Sequence, residues 1–126
     1  MIEHLNHVAR TTKDLEASRR FYIEVLECKE ISRPDFSFRG AWLYVAGMQF
    51  HLIEDVNTPD APAGIDTRES HVAFAVEDVD AAEARLRERG IVYKRQIIPG
   101  RGIHQIFFRD PDGWLIEFGK YGVIDE

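Results

Sequence analysis

The sequence predicts an α+β fold assembled from two βαβββ modules. Two observations lead there: a short motif that recurs sixty-four residues further on, and an order of strand and helix periodicities that recurs with it. A third, the Pro/Ala/Gly-rich run at 57–64, separates the two copies as an exposed connection. The reading places the first module at about 1–57, the linker at about 58–66 and the second module at about 67–126.

The motif opens each module. The first copy reads Leu5-Asn6-His7-Val8-Ala9-Arg10, then Lys13-Asp14-Leu15-Glu16-Ala17. The second reads Ser70-His71-Val72-Ala73-Phe74, then Glu77-Asp78-Val79-Asp80-Ala81. Both run strand, acidic turn, helix. The first helix is expected over 13–26, with Leu15, Phe21, Tyr22, Val25 and Leu26 at helical spacing. The second is expected over 79–89, with Val79, Ala82 and Leu86 on one side and Gly90 as a left-handed cap. Strands are expected at 28–33, 41–45 and 48–54, and again at 92–95, 105–108 and 114–118. The last two are joined by Arg109-Asp110-Pro111-Asp112-Gly113, whose Pro and Gly suit a tight turn.

Bulk composition narrows the function. The 126 residues are 44% hydrophobic and 30% charged, enough for one domain with its own core. A formal net charge of −6 argues against nucleic acid, because phosphate binding needs clustered Lys and Arg. No apolar run reaches the length of a membrane span, and the N-terminus lacks a signal-peptide pattern. The lone Cys28 permits no intrachain disulfide and reads as structural. These features set the expectation of a cytoplasmic protein that engages neither membrane nor nucleic acid.

Parity along the strands picks out four residues. Successive side chains point to opposite faces. Val72, Phe74 and Val76 form an apolar face, so His71 points away from it. Trp114, Ile116 and Phe118 do the same opposite Glu117, and Phe50 and Leu52 opposite His51. His7 stands on the first strand, where His71 stands on its counterpart, and His51 corresponds to Glu117. Pairing the modules would turn all four toward one cavity. Three imidazoles and a carboxylate suit Zn²⁺, Ni²⁺, Fe²⁺, Co²⁺ or Mn²⁺. His7, His71 and Glu117 form the ligand set, with His51 either a fourth ligand or an acid/base group beside the ion. His4 and His104 have no counterpart under the repeat and read as surface residues, with His104 near the pocket mouth.

These residues resemble the vicinal oxygen chelate superfamily of glyoxalases, bleomycin-resistance proteins and extradiol dioxygenases. The carriers are Leu5-Asn6-His7-Val8, Phe21-Tyr22-Ile23-Glu24-Val25-Leu26, Ser70-His71-Val72-Ala73-Phe74 and the stretch from Phe107 to Glu117 containing Asp110-Pro111-Asp112-Gly113. Arg33 to Leu43 is similar to the glyoxalase-I-like subgroup. The resemblance implies an eight-stranded sheet curled around a divalent ion held by His7, His51, His71 and Glu117. It also implies a homodimer in which His7 and His51 of one chain meet His71 and Glu117 of the other. The sequence departs from bacterial glyoxalase I at His51, where that enzyme carries Glu. The expected activity is a metal-dependent lyase or isomerase that chelates a small oxygenated substrate, with Glu117 and His51 as catalytic groups. The alternatives are a thiol transferase, an extradiol-type dioxygenase, and a drug-binding resistance protein without catalysis. Trp42, Tyr44, Phe107 and Arg101 are the expected pocket walls, with Arg39 the candidate anion contact.

Overall fold

The computed structural model describes residues 1–122. Ten elements follow in chain order: β1 (His7–Thr12), α1 (Leu15–Glu24), β2 (Lys29–Ile31), β3 (Gly40–Val45), β4 (Met48–Glu54), β5 (His71–Ala75), α2 (Val79–Glu88), β6 (Tyr93–Ile98), β7 (Ile103–Arg109) and β8 (Leu115–Lys120). The chain is α+β and makes two compact units. One comprises Met1–Ala61 together with Asp110–Asp112; the other comprises Pro62–Arg109 and Gly113 onward. Each carries one helix and one mixed four-stranded sheet, ordered β1-β4-β3-β2 in the first and β5-β8-β7-β6 in the second. The eight strands are thus hydrogen-bonded as two sets of four.

The recurring Asp explains why both helices start where they do. Asp14 and Asp78 are extended N-caps whose carboxylates accept the Ala17 and Ala81 backbone N–H groups. The first helix therefore begins at Leu15, two residues later than its periodicity predicts. The helix ends differ. α2 stops against Gly90 at φ 69°, whose N–H reaches the Arg87 carbonyl. After α1 the left-handed position is Glu27, at φ 59°, where a side chain must be tolerated. Trp114 falls just outside β8, because Gly113 at φ 96° completes the turn before Leu115.

In each unit the helix covers one face of the sheet. Tyr22, Leu15, Leu43, Phe50 and Leu52 are buried in the first unit, and Val79, Leu86, Ile106, Phe108 and Ile116 in the second. Burying a side chain of this size stabilises by about 1.5–3 kcal/mol. The first unit also draws on the turn at 110–112. Tyr22 Oη donates to Asp110 Oδ2 at 2.7 Å, Ser18 Oγ to Asp112 Oδ2 at 3.0 Å, and the Lys13 N–H to Asp112 Oδ1 at 2.9 Å. Burial, and then Asp110, push the Tyr22 hydroxyl well above its ordinary value.

Candidate metal centre

The face of each sheet turned away from its helix carries the candidate residues. Residues directly paired across strands share a face. In the first unit Ala9 is in register with His51, and His51 with Trp42; His7 pairs with Gln49 and Gly40 with Ile53. His7, His51, Trp42, Tyr44 and the Gly40 position therefore look out on the same side. The rings form a stack: Trp42 and His51 centroids are 4.2 Å apart and 6° from parallel, His51 and His7 3.9 Å apart and 10° from parallel. Gln49 Oε1 lies 2.8 Å from His51 Nε2, and Asn6 Oδ1 2.8 Å from His7 Nδ1. One nitrogen of each ring is thereby engaged, and the other has no hydrogen-bond partner among the described residues. Desolvation first, then the charges of His7 and Arg33, hold His51 below the usual imidazole value. It is therefore kept neutral, the form that binds metals.

The second unit repeats the geometry with one change of chemistry. Ala73 is in register with Glu117, as Ala9 is with His51, and Glu117 is in register with Phe107. His71 Nε2 lies 3.0 Å from Glu117 Oε1. Its Nδ1 lies 2.7 Å from the Glu69 carbonyl oxygen, which can only accept. Glu117 is 3% exposed. Its Oε2 accepts from Gln105 at 3.2 Å and from the Tyr121 hydroxyl at 2.5 Å, and Gln105 is itself steadied by Gln96 at 2.9 Å. Phe107 presents its ring to His71 at 5.6 Å, 77° from parallel. Gly119 leaves room for the Tyr121 ring, which a Cβ would strike.

This geometry tests whether a divalent ion fits. With Nδ1 committed to a carbonyl, Nε2 is the His71 atom that faces a buried carboxylate. Two electron-rich atoms at that distance repel unless a proton or a cation lies with them. Among the described residues Glu117's other donors, Gln105 and Tyr121, are neutral, and a buried carboxylate without a compensating cation is costly. A metal ion answers both demands. An imidazole oriented by a backbone carbonyl is also the usual support of a metal-bound histidine.

The structure brings His7 together with His51, and His71 with Glu117. Among the described residues no group of three or more His, Cys, Asp or Glu side chains gathers in metal-binding proximity. Tyr44 is exposed on the same face as Trp42. Arg101 is exposed in the turn between β6 and β7. Arg39 bonds Glu54 through Nη1 at 3.1 Å and approaches Glu16 through Nη2 at 3.8 Å, so its charge is matched by carboxylates. His104 lies on the helix side of its sheet, 3.3 Å from Arg95. The pocket-mouth reading of His104 is corrected accordingly, because strand parity turns it away from Glu117.

Sequence reasoning did not find Gln49, Gln105, Tyr121 or Arg33. The two glutamines carry a signal, since each is in register with a site-facing position. Tyr121 carries none. No helix among the described residues is long and apolar enough to cross a membrane.

Comparisons with known proteins bear on the family and the fold. Residues 4–118 match the model of the Glyoxalase/Bleomycin resistance protein/Dioxygenase superfamily. Glyoxylase I 4 of Arabidopsis thaliana is 38% identical over 119 residues, covering 90% of this chain and 68% of that protein. The metallothiol transferase FosB of Shouchella clausii is 28% identical over 129 residues, covering 93% of this chain and 80% of that one. A mutant of the fosfomycin resistance protein FosX from Listeria monocytogenes, solved with Mn(II) and 1S,2S-dihydroxypropylphosphonic acid, superposes with a TM-score of 0.82. It is 22% identical, covering 98% of this chain and 95% of that one.

Proposed function

Because the chain belongs to the Glyoxalase/Bleomycin resistance protein/Dioxygenase superfamily, we propose that it is a divalent-metal-dependent enzyme of lyase or isomerase type, acting in the cytoplasm on a small substrate with two neighbouring oxygens. His7, His51, His71 and Glu117 hold the ion. When bound, it acts as a Lewis acid toward negative charge developing on a substrate oxygen. The carrying observation is the 3.0 Å contact of His71 Nε2 with Glu117 Oε1, with Nδ1 committed to the Glu69 carbonyl.

The chain's own groups have separable tasks. Glu117, released from the ion transiently, accepts and returns the substrate proton on Oε1, while Gln105 and Tyr121 hold Oε2 in place. Gln49 fixes the His51 ring. Trp42, Tyr44 and Phe107 wall the substrate from water, and Arg101 stands at the rim. A second reading is favoured by the likeness to FosB, named a metallothiol transferase. In it the same ligands serve the opening of an epoxide by a thiol.

Metal analysis of protein purified without chelator tests the proposal. We expect one divalent ion per set of four ligands, lost in Glu117→Ala and in His71→Ala. Variants that retain the wild-type metal content would overturn it. Assays with a 2-oxoaldehyde–thiol adduct and with an epoxide plus thiol then separate the two readings.

A further inference from the structure

Arg33 and Arg39 flank one short loop between β2 and β3, but the fold gives them opposite circumstances. Arg39 is matched by Glu54 and Glu16. Arg33, half-buried, pairs with no carboxylate among the described residues. Its guanidinium lies 4.9 Å from the Phe36 ring centroid and 5.0 Å from that of Phe38, and Nη2 donates to the Phe38 carbonyl at 2.8 Å. That uses one of five N–H groups. The remaining fork is held by two aromatic faces rather than neutralised by an acid.

Gly40 leaves room for this cation. Gly40 shares its face with Trp42 and His51, and a Cβ there would lie 3.1 Å from Arg33 Nη2. The guanidinium therefore sits over the same side of the sheet as the candidate ligands. Flat surfaces continue from it toward the histidines. Phe36 and Phe38 stack at 5.2 Å and 10° from parallel, Phe36 lies 6.2 Å from Trp42, and Trp42 stacks on His51. Phe36 and Phe38 are 42% and 44% exposed, an unusual outlay of apolar ring on a surface.

We propose that Arg33 recognises a carboxylate on the substrate, and that the body carrying it is flat, aromatic or conjugated, and lies against Trp42 and Phe36. The planar fork matches a carboxylate with two parallel hydrogen bonds. The inference rests on the metal-dependent reading only for the end of the ligand that carries the two neighbouring oxygens.

The probe is 3,4-dihydroxybenzoate, with adjacent oxygens at one end of a flat ring and a carboxylate at the other. Its methyl ester is the neutral control. Both are titrated calorimetrically into metal-loaded and chelator-treated protein. Wild type is expected to bind the acid about tenfold or more tighter than the ester in either state. Arg33→Met should bring that ratio to about one while leaving ester affinity in place, which also shows the site folded. Arg33→Lys, which keeps charge but not the fork, should give an intermediate ratio, and the charge-matched Arg20→Met should retain the wild-type ratio. Equal binding of acid and ester by wild type, or an undiminished ratio in both Arg33 variants, would overturn the proposal. Failure of the metal reading shows separately, as ester affinity that is indifferent to metal while the acid/ester ratio persists.

Discussion

At the scale of single residues, buried polar groups are held by partners far away in sequence. Tyr22 is fully buried and donates to Asp110, 88 residues on. Tyr22→Phe should cost about 1–3 kcal/mol in urea denaturation, because Asp110 is buried and loses a donor. The pH dependence has a definite sign. The hydroxyl is raised above 10 in the folded protein, so its contribution is present below pH about 10 and fades as pH rises further. The stability gap between wild type and Tyr22→Phe should narrow on going alkaline from pH 10. A gap that widened there would contradict the assignment. Local parity was enough to place His51 and Glu117 on the faces turned away from the helices. It could not say which of Arg33 and Arg39 meets an acid, since both lie in one loop and only the folded position of Glu54 and Glu16 decides.

At the scale of elements, two glycines have contrasting reasons. A Cβ at Gly40 would run into the Leu52 carbonyl, which belongs to the paired strand β4 and cannot give way, and would crowd Arg33. A Cβ at Gly119 would strike only the ring of Tyr121, a side chain at 36% exposure that can swing aside. Gly40→Ala should therefore lower thermal stability by about 1–3 kcal/mol, and Gly119→Ala by less. Gly119→Ala should instead weaken metal retention, by releasing the Tyr121 hydroxyl from Glu117. Equal melting shifts in the two variants would refute this distinction. The succession of strands and helices along the chain was legible because a repeated Asp caps each helix and apolar positions alternate along each strand. The role of the Asp-Pro-Asp-Gly stretch was legible only as a turn. Its carboxylates bond to Ser18 and Tyr22 over 94 and 88 residues, beyond the reach of any local pattern.

At the scale of the whole molecule, the four proposed ligands fall into two pairs, each built by one unit. We expect the pairs to complete one another between two copies of the chain. The test mixes a His7→Ala/His51→Ala variant with a His71→Ala/Glu117→Ala variant after mild unfolding and refolding. If two chains share each site, half of the randomly re-paired dimers are mixed and each recovers one intact set of four out of two, so metal content rises toward a quarter of that of wild type. No recovery would mean that one chain supplies all four. The turn at 110–112 has a different consequence, for the order in which the chain can finish folding. During synthesis α1 leaves the ribosome long before Asp110 and Asp112 are made. Until they arrive, Tyr22 and Ser18 must hold their hydroxyls beside an otherwise apolar helix face without those acceptors. The first unit precedes the second along the sequence but cannot be completed until the turn just ahead of β8 has been made.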